Sequence, residues 1–208
     1  MATTLYPVDD RQATKTHPTW AGARDATTVT SNLSLSATAS AAVSAVWIPS
    51  QYFVSRTNVV FDVSSITSKP FSAHFMIKGY VNAGGDMRLV RGEHGGSYFF
   101  QFPGVVGWSN GVDNTSNATI LDTGEITEWN LDAYNTIQLN DGALDLLVSL
   151  SEIDLTLIDN DFDLTNNVPT DNNSNSGVYF SESGGLTADP KLVIEMNPPN
   201  STLMGANF

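Results

Sequence analysis

A chain of 208 residues with 9 Lys and Arg against 22 Asp and Glu carries a formal charge of −13, and 41% of its residues are hydrophobic. That is a globular composition, and its acidity disfavours the basic patches that grip phosphate backbones or anionic lipids, so neither nucleic acid nor membrane is expected as a partner. The sequence contains no cysteine, which removes disulfides, thiolate catalysis and thiolate-ligated metals.

The opening "MATTLYPVDDRQATKTHP" has no basic start followed by an apolar core, so no secretory leader is expected there. No apolar run approaches the ~20 residues of a membrane helix. The expected setting is aqueous, with release inside a virion as one route out of a cell. One domain is expected over residues 1–197, with 1–25 as an N-terminal docking segment and 198–208 as a C-terminal tail.

Residues 26–48, "ATTVTSNLSLSATASAAVSAVWI", are rich in Thr, Ser, Val and Ala with partial alternation and read as strand until Pro49. "YFVSRTNVVFDV" (52–63) is the strongest strand, with Phe53, Val59 and Phe61 as core residues and Asp62 on the opposite face. Arg56 and Asp62 lie about 20 Å apart along it, too far to pair, and Asp62 is expected to bond the following turn. "FSAHFMIKGYVN" (71–82) puts Phe71, Ala73, Phe75, Ile77 and Gly79 on one face, and the Gly-rich "NAGGD" before "MRLVRG" (87–92) predicts a hairpin.

"GGSYFFQFPGVVGW" (95–108) is a further apolar segment, and 109–119 is a loop by composition. "TGEITEWNLD" and "YNTIQL" read as two short strands. "NDGALDLLVSLSEI" is the one good helical stretch, capped by Asn140 or Asp141, with Leu144, Leu147 and Val148 at helical spacing. "EIDLTLID" (152–159) alternates Ile153, Leu155 and Leu157 against Asp154 and Thr156; a polar loop and the strands "GVYFSES" and "KLVIEM" follow. Many short strands with regular turn signals predict an all-β sandwich.

Three segments carry a family resemblance. "SRTNVVFDVSSI" (55–66), "DAYNTIQLNDGALDLL" (132–147) and "YFSESGGLTADPKLVIEM" (179–196) occur in the order of the DNRLRE-type jelly-roll domain, related to family 6 carbohydrate-binding modules and found in bacteriophage structural proteins. The chain resembles that family over roughly residues 3–197, departing from it in "ITEWN" and in Met196 at the end of the last strand. The resemblance implies a jelly-roll β-sandwich of two antiparallel sheets with one short helix. It further implies a non-enzymatic virion structural protein, a capsid decoration or a tail or fibre module. Its partners would be other virion proteins and further copies of itself. The alternative is a carbohydrate-binding or receptor-binding adhesin that takes host surface glycans.

Candidate chemistry is sparse. No pair of carboxylates stands out as a glycosidase dyad, His17, His74 and His94 form no ligand pattern, and no GxSxG or GxxxxGK occurs, so no enzyme is expected. "DNDFD" offers Asp159, Asp161 and Asp163 at alternate positions; on a strand they would share a side and, with Asp171, suit structural calcium. The EF-hand pattern fails, because Leu164 stands where glycine is required and Thr170 where the bidentate Glu belongs; an ordinary acidic loop is the competing reading. For sugar stacking the candidates are Tyr98, Trp108, Trp129 and Tyr134, each of which can equally seal an end of the sandwich.

Overall fold

The alternation of "SAHFMIKGYVN" becomes strand β6 (Ser72–Asn82), on which one layer of the protein is assembled. The computed structural model describes residues 2–26, 30–34, 40–82, 84–92, 118–131, 133–172, 174–179 and 189–196. Against β6 lie β11 (Lys191–Glu195) and β8 (Tyr134–Gln138), and β11 in turn carries β1 (Ala2–Leu5). The second layer is built on β5 (Gln51–Asp62), flanked by β2 (Asp9–His17) on one edge and by β4 (Ser40–Ile48) and β9 (Glu152–Asp159) on the other. Outside these are β3 (Ser31–Ser34), paired with β2, and β7 (Met87–Arg91), paired with β9. Strand β10 (Asn175–Tyr179) pairs with both β6 and β4 and so joins the layers; all these pairings are antiparallel. The fold is the expected all-β sandwich.

Between the layers Ala73, Phe75 and Ile77 of β6, Ile137 of β8 and Leu192 and Ile194 of β11 meet Val59 and Phe61 of β5 and Ile153, Leu155 and Leu157 of β9. Phe61 and Phe75 close the contact edge to face, with centroids 6.0 Å apart. At roughly 1.5–3 kcal/mol for each large apolar side chain taken out of water, this single cluster supplies most of the driving force for folding. Gly79 is required where β6 leaves the core, because a Cβ there would stand 2.1 Å from the Asn130 carbonyl oxygen.

Among the described residues two α-helices accompany the strands, where one was expected. Helix α2 (Asp141–Ser149) follows Asn140, whose side chain accepts the Ala143 N–H at 2.9 Å, and it buries Ala143, Leu144 and Leu147 in the core. Helix α1 (Trp20–Arg24), capped by Thr19, lies on the outside of the second layer with Trp20 and Ala23 against Ala45 and Val54.

Several expectations change. Strands β6 and β7 form no hairpin: β6 pairs within one layer and β7 with β9 in the other, so the turn through Gly84 and Gly85, both at positive φ, is a crossing between layers. Among the described residues of "TGEITEWNLD" only isolated bridges at Ile126 and Leu131 form. Phe71 precedes its strand and is exposed, and Phe53 is half-buried. Residues 2–17, expected within a docking segment, supply β1 and β2, the latter paired with β5 over nine positions. The segments 95–108 and 198–208 lie outside the described residues.

Arg56 and Asp62 share a face of β5 but not an environment. Asp62 is exposed and its Oδ1 accepts the Ser64 N–H at 2.9 Å and the Ser64 hydroxyl at 2.6 Å, bonds that hold its carboxyl below the usual range. Arg56 is buried and forks onto Asp163, with Nε to Oδ2 and Nη2 to Oδ1 both at 2.7 Å. Its Nη2 also donates to the Arg24 carbonyl at 3.1 Å, and Arg24 Nε donates to the Asp163 carbonyl at 2.6 Å. Removing one partner strands a buried charge, whereas removing both leaves an apolar gap. Arg56→Met should therefore cost about 3–5 kcal/mol in urea unfolding, and Arg56→Met with Asp163→Leu distinctly less than the sum of the singles. Additive losses would show that the pair is not coupled.

Candidate functional site

At its end β9 runs into a π-helical turn, Asn160–Leu164, closed by the Thr165 N–H donating five residues back to the Asn160 carbonyl at 3.3 Å. The three aspartates expected on one side of a strand are thereby sent in three directions. Asp159 caps the turn, accepting the Phe162 N–H at 2.8 Å and the Asp163 N–H at 3.3 Å, and it takes the Ser174 hydroxyl as well. Asp163 turns inward to Arg56, and Asp161 turns toward Asp86 and Glu125. Asp171 stands on the loop beyond, where its backbone carbonyl accepts the Trp47 N–H at 2.7 Å. The four residues therefore do not converge, and the expected shared calcium site is not assembled from them.

What the turn assembles instead is a group of Asp86, Glu125 and Asp161, with one carboxylate oxygen from each lying within 4.8 Å of the others. Asp86 arrives from the crossing between β6 and β7, and its N–H donates to Asp161 Oδ2 at 3.3 Å; Glu125 is held by the Asn160 side-chain amide. Burial and the neighbouring Asp86 and Asp161 carboxylates push the Glu125 carboxyl up. Glu125 also borders a polar groove of about 380 Å³ lined by 122–128 and 136–138. Hard oxygen donors in this arrangement are those that can hold calcium or magnesium. Calcium should raise the melting midpoint by a few degrees and Glu125→Gln should abolish the response. A midpoint identical in calcium and in chelator would dismiss the triad.

Asp159 is a different kind of carboxylate. Burial pushes its pKa up to about 7 in spite of the Ser174 and backbone hydrogen bonds that favour the charged form. A carboxyl raised in the folded state binds its proton where the unfolded chain has already released one, so it lowers stability as pH rises from about 4 through 7. The gap from 3.8 to about 7 sets an upper scale of about 4 kcal/mol. Asp159→Asn should flatten the decline in stability between pH 5 and 8, measured by denaturation at each pH. An unchanged profile would place the dependence elsewhere.

Of the aromatics proposed for sugar stacking, Tyr98 and Trp108 lie outside the described residues, as does His94. Trp129 is a core residue whose Nε1–H donates to the Gly177 carbonyl at 3.1 Å. Tyr134 is half-buried; its hydroxyl donates to the Asp189 carbonyl at 2.9 Å and its ring carries the Lys191 ammonium at 4.0 Å. Among the described residues an aromatic groove open to a ligand lies elsewhere. Trp47 and Tyr52 are directly opposed on β4 and β5 and, with Val168, Pro169 and Thr170, line a shallow groove of about 250 Å³. Trp47 is 39% exposed, Tyr52 is braced edge to face by Trp20 at 5.8 Å, and Trp20 Nε1–H donates to Asn166 in the same loop at 3.1 Å. The signal was present in "VWIPSQYF", where a hairpin turning at Pro49 and Ser50 sets Trp47 across from Tyr52.

Other chemistry-bearing groups among the described residues hold the fold. The Asn58 amide donates to both oxygens of Asp154 at 3.2 Å and to the Thr156 hydroxyl at 2.6 Å, all buried. His17 Nδ1 bonds Thr19 at the start of α1. The chain matches no protein-family model, and no curated protein matches it.

Proposed function

We propose that the chain is a non-enzymatic structural module of a virion, a surface β-sandwich that decorates a capsid or forms part of a tail or fibre. The observation that carries this reading is the use of the acidic and hydroxyl groups. Asp163, Asp159, Asp154 and Thr156 are committed to buried networks that fix the sandwich, which is the economy of a scaffold and not of a site that exchanges protons with substrate. The three ordered motifs resembling phage jelly-roll modules support the same assignment by analogy.

The Trp47–Tyr52 groove favours a second role as a host-glycan contact, because an exposed indole beside a loop rich in Asn and Thr offers a pyranose both a stacking face and hydrogen bonds. Mass spectrometry of gradient-purified particles from the source should find the chain at a fixed copy number per particle. Particles consistently without it would end the virion reading. In gels containing host polysaccharide, retardation that Trp47→Ala abolishes would assign the groove to glycan, and wild-type protein that migrates freely in every polysaccharide tested would end that second role.

A further inference from the structure

The outer face of the β11–β6–β8 layer combines cations and tyrosines on a strongly acidic molecule. Alternation on β6 sends Met76, Lys78 and Tyr80 outward beside Tyr134 of β8 and Lys191 of β11. The Lys191 ammonium sits 4.0 Å above the Tyr134 ring and the Lys78 ammonium 5.6 Å from the ring of Tyr179, which in turn packs edge to face on Tyr80 at 5.2 Å. Arg11, Arg24, Arg56, Lys69 and Arg88 are paired with aspartates, whereas Lys78, Lys191 and, away from this face on β7, Arg91 join no ion pair among the described residues. Tyr80 is 53% exposed at the end of this row.

We infer that this face is a self-association surface that receives the acidic surface of a second copy of the chain. Two copies at −13 repel over most of their surfaces, so approach is favoured where one presents ammonium groups and the other its surplus carboxylates. The ammonium groups lie against aromatic rings, which hold them in place and partly strip them of water, so a carboxylate placed there gains more than at a fully hydrated lysine. The same geometry leaves a sugar less stacking surface, since one face of the Tyr134 ring and one face of the Tyr179 ring already carry a cation. Cationic face on acidic surface is a head-to-tail contact, the kind that builds rings or filaments.

The inference takes its purpose from the structural-module reading, but it is measured on the purified chain, so it can fail while the particle test succeeds. Sedimentation equilibrium up to roughly 100 µM should show species heavier than the monomer, with a dissociation constant raised about tenfold or more by Lys78→Glu and by Tyr80→Ser. Lys69→Glu, which changes the net charge by the same amount as Lys78→Glu at a residue paired with Asp141 and Asp145, should leave association unchanged. A wild-type chain that stays monomeric would overturn the inference, as would Lys69→Glu weakening association as much as Lys78→Glu. So would a monomer that binds polygalacturonate through Lys78, since the face would then belong to an anionic polysaccharide.

Discussion

The fork between Arg56 and Asp163 ties together three segments that lie far apart in the sequence. Both groups are buried, so each would be intolerable alone, and each is fixed in place by what surrounds it. Asp163 reaches Arg56 because the chain after β9 winds through a π turn and not a strand, and Arg24 reaches the same place from α1 through the Asp163 carbonyl. Three segments far apart in sequence are thus tied at one buried point. The turn that satisfies Arg56 also decides where Asp159 and Asp161 point. The carboxylate group with Asp86 and Glu125 is therefore assembled by the same turn that carries Asp163 to Arg56.

The two layers of the sandwich are covered differently, which explains where sequence reasoning succeeded. The outer face of the β11–β6–β8 layer stays open along β6, so inward Ala73, Phe75 and Ile77 are buried and outward His74, Met76 and Lys78 are half-exposed. A period of two in the sequence maps directly to burial there. On the second layer α1 and the π turn pack on the outer face around Arg56, and Asp154 and Thr156, which alternate with the core residues of β9, are buried with Asn58. Alternation still identified the strand. It did not identify the environment: around Arg56 the cover comes from a five-residue helix and a single turn, elements too short to leave a periodic signature, and Gly92 lies against Asp154 and Thr156.

Local chemistry was legible wherever it was complete within a few residues. The Asn140 cap and the Asp62 turn are each settled by side chains reaching two or three positions along the chain, and both appear as read. The β6–β7 connection carried a correct turn signal in Gly84 and Gly85 but the wrong partner, since a glycine turn states that the chain bends and not which strand receives it. "DNDFD" failed for a related reason. Side-chain parity follows only if the backbone is extended, and the extra residue in the π turn breaks it. Trp129 and Trp47 reverse the simplest expectation about tryptophans in loops and strands. The first lies in irregular chain yet fills the core beside Gly79, and the second lies on a strand yet faces outward at the tip of a hairpin.

These placements bear on where binding can reside. Arg24 and Arg56 are neutralised inside the fold, and Arg11, Lys69 and Arg88 by neighbouring aspartates, so the positive charge free to meet a partner is smaller than the composition suggests. Among the described residues the acidic surface carries two contacts of interest: aromatic at the Trp47 groove, and cationic over tyrosines along β6. The groove is built on a tight hairpin braced by Trp20, and the β6 face on a strand hydrogen-bonded along both edges, so both present rigid side chains that lose little freedom on binding. A scaffold with its polar chemistry buried and its preorganised contacts on two different elements is suited to connecting one body to another. That division of labour between interior and surface links the Arg56 ion pair to the function proposed for the chain.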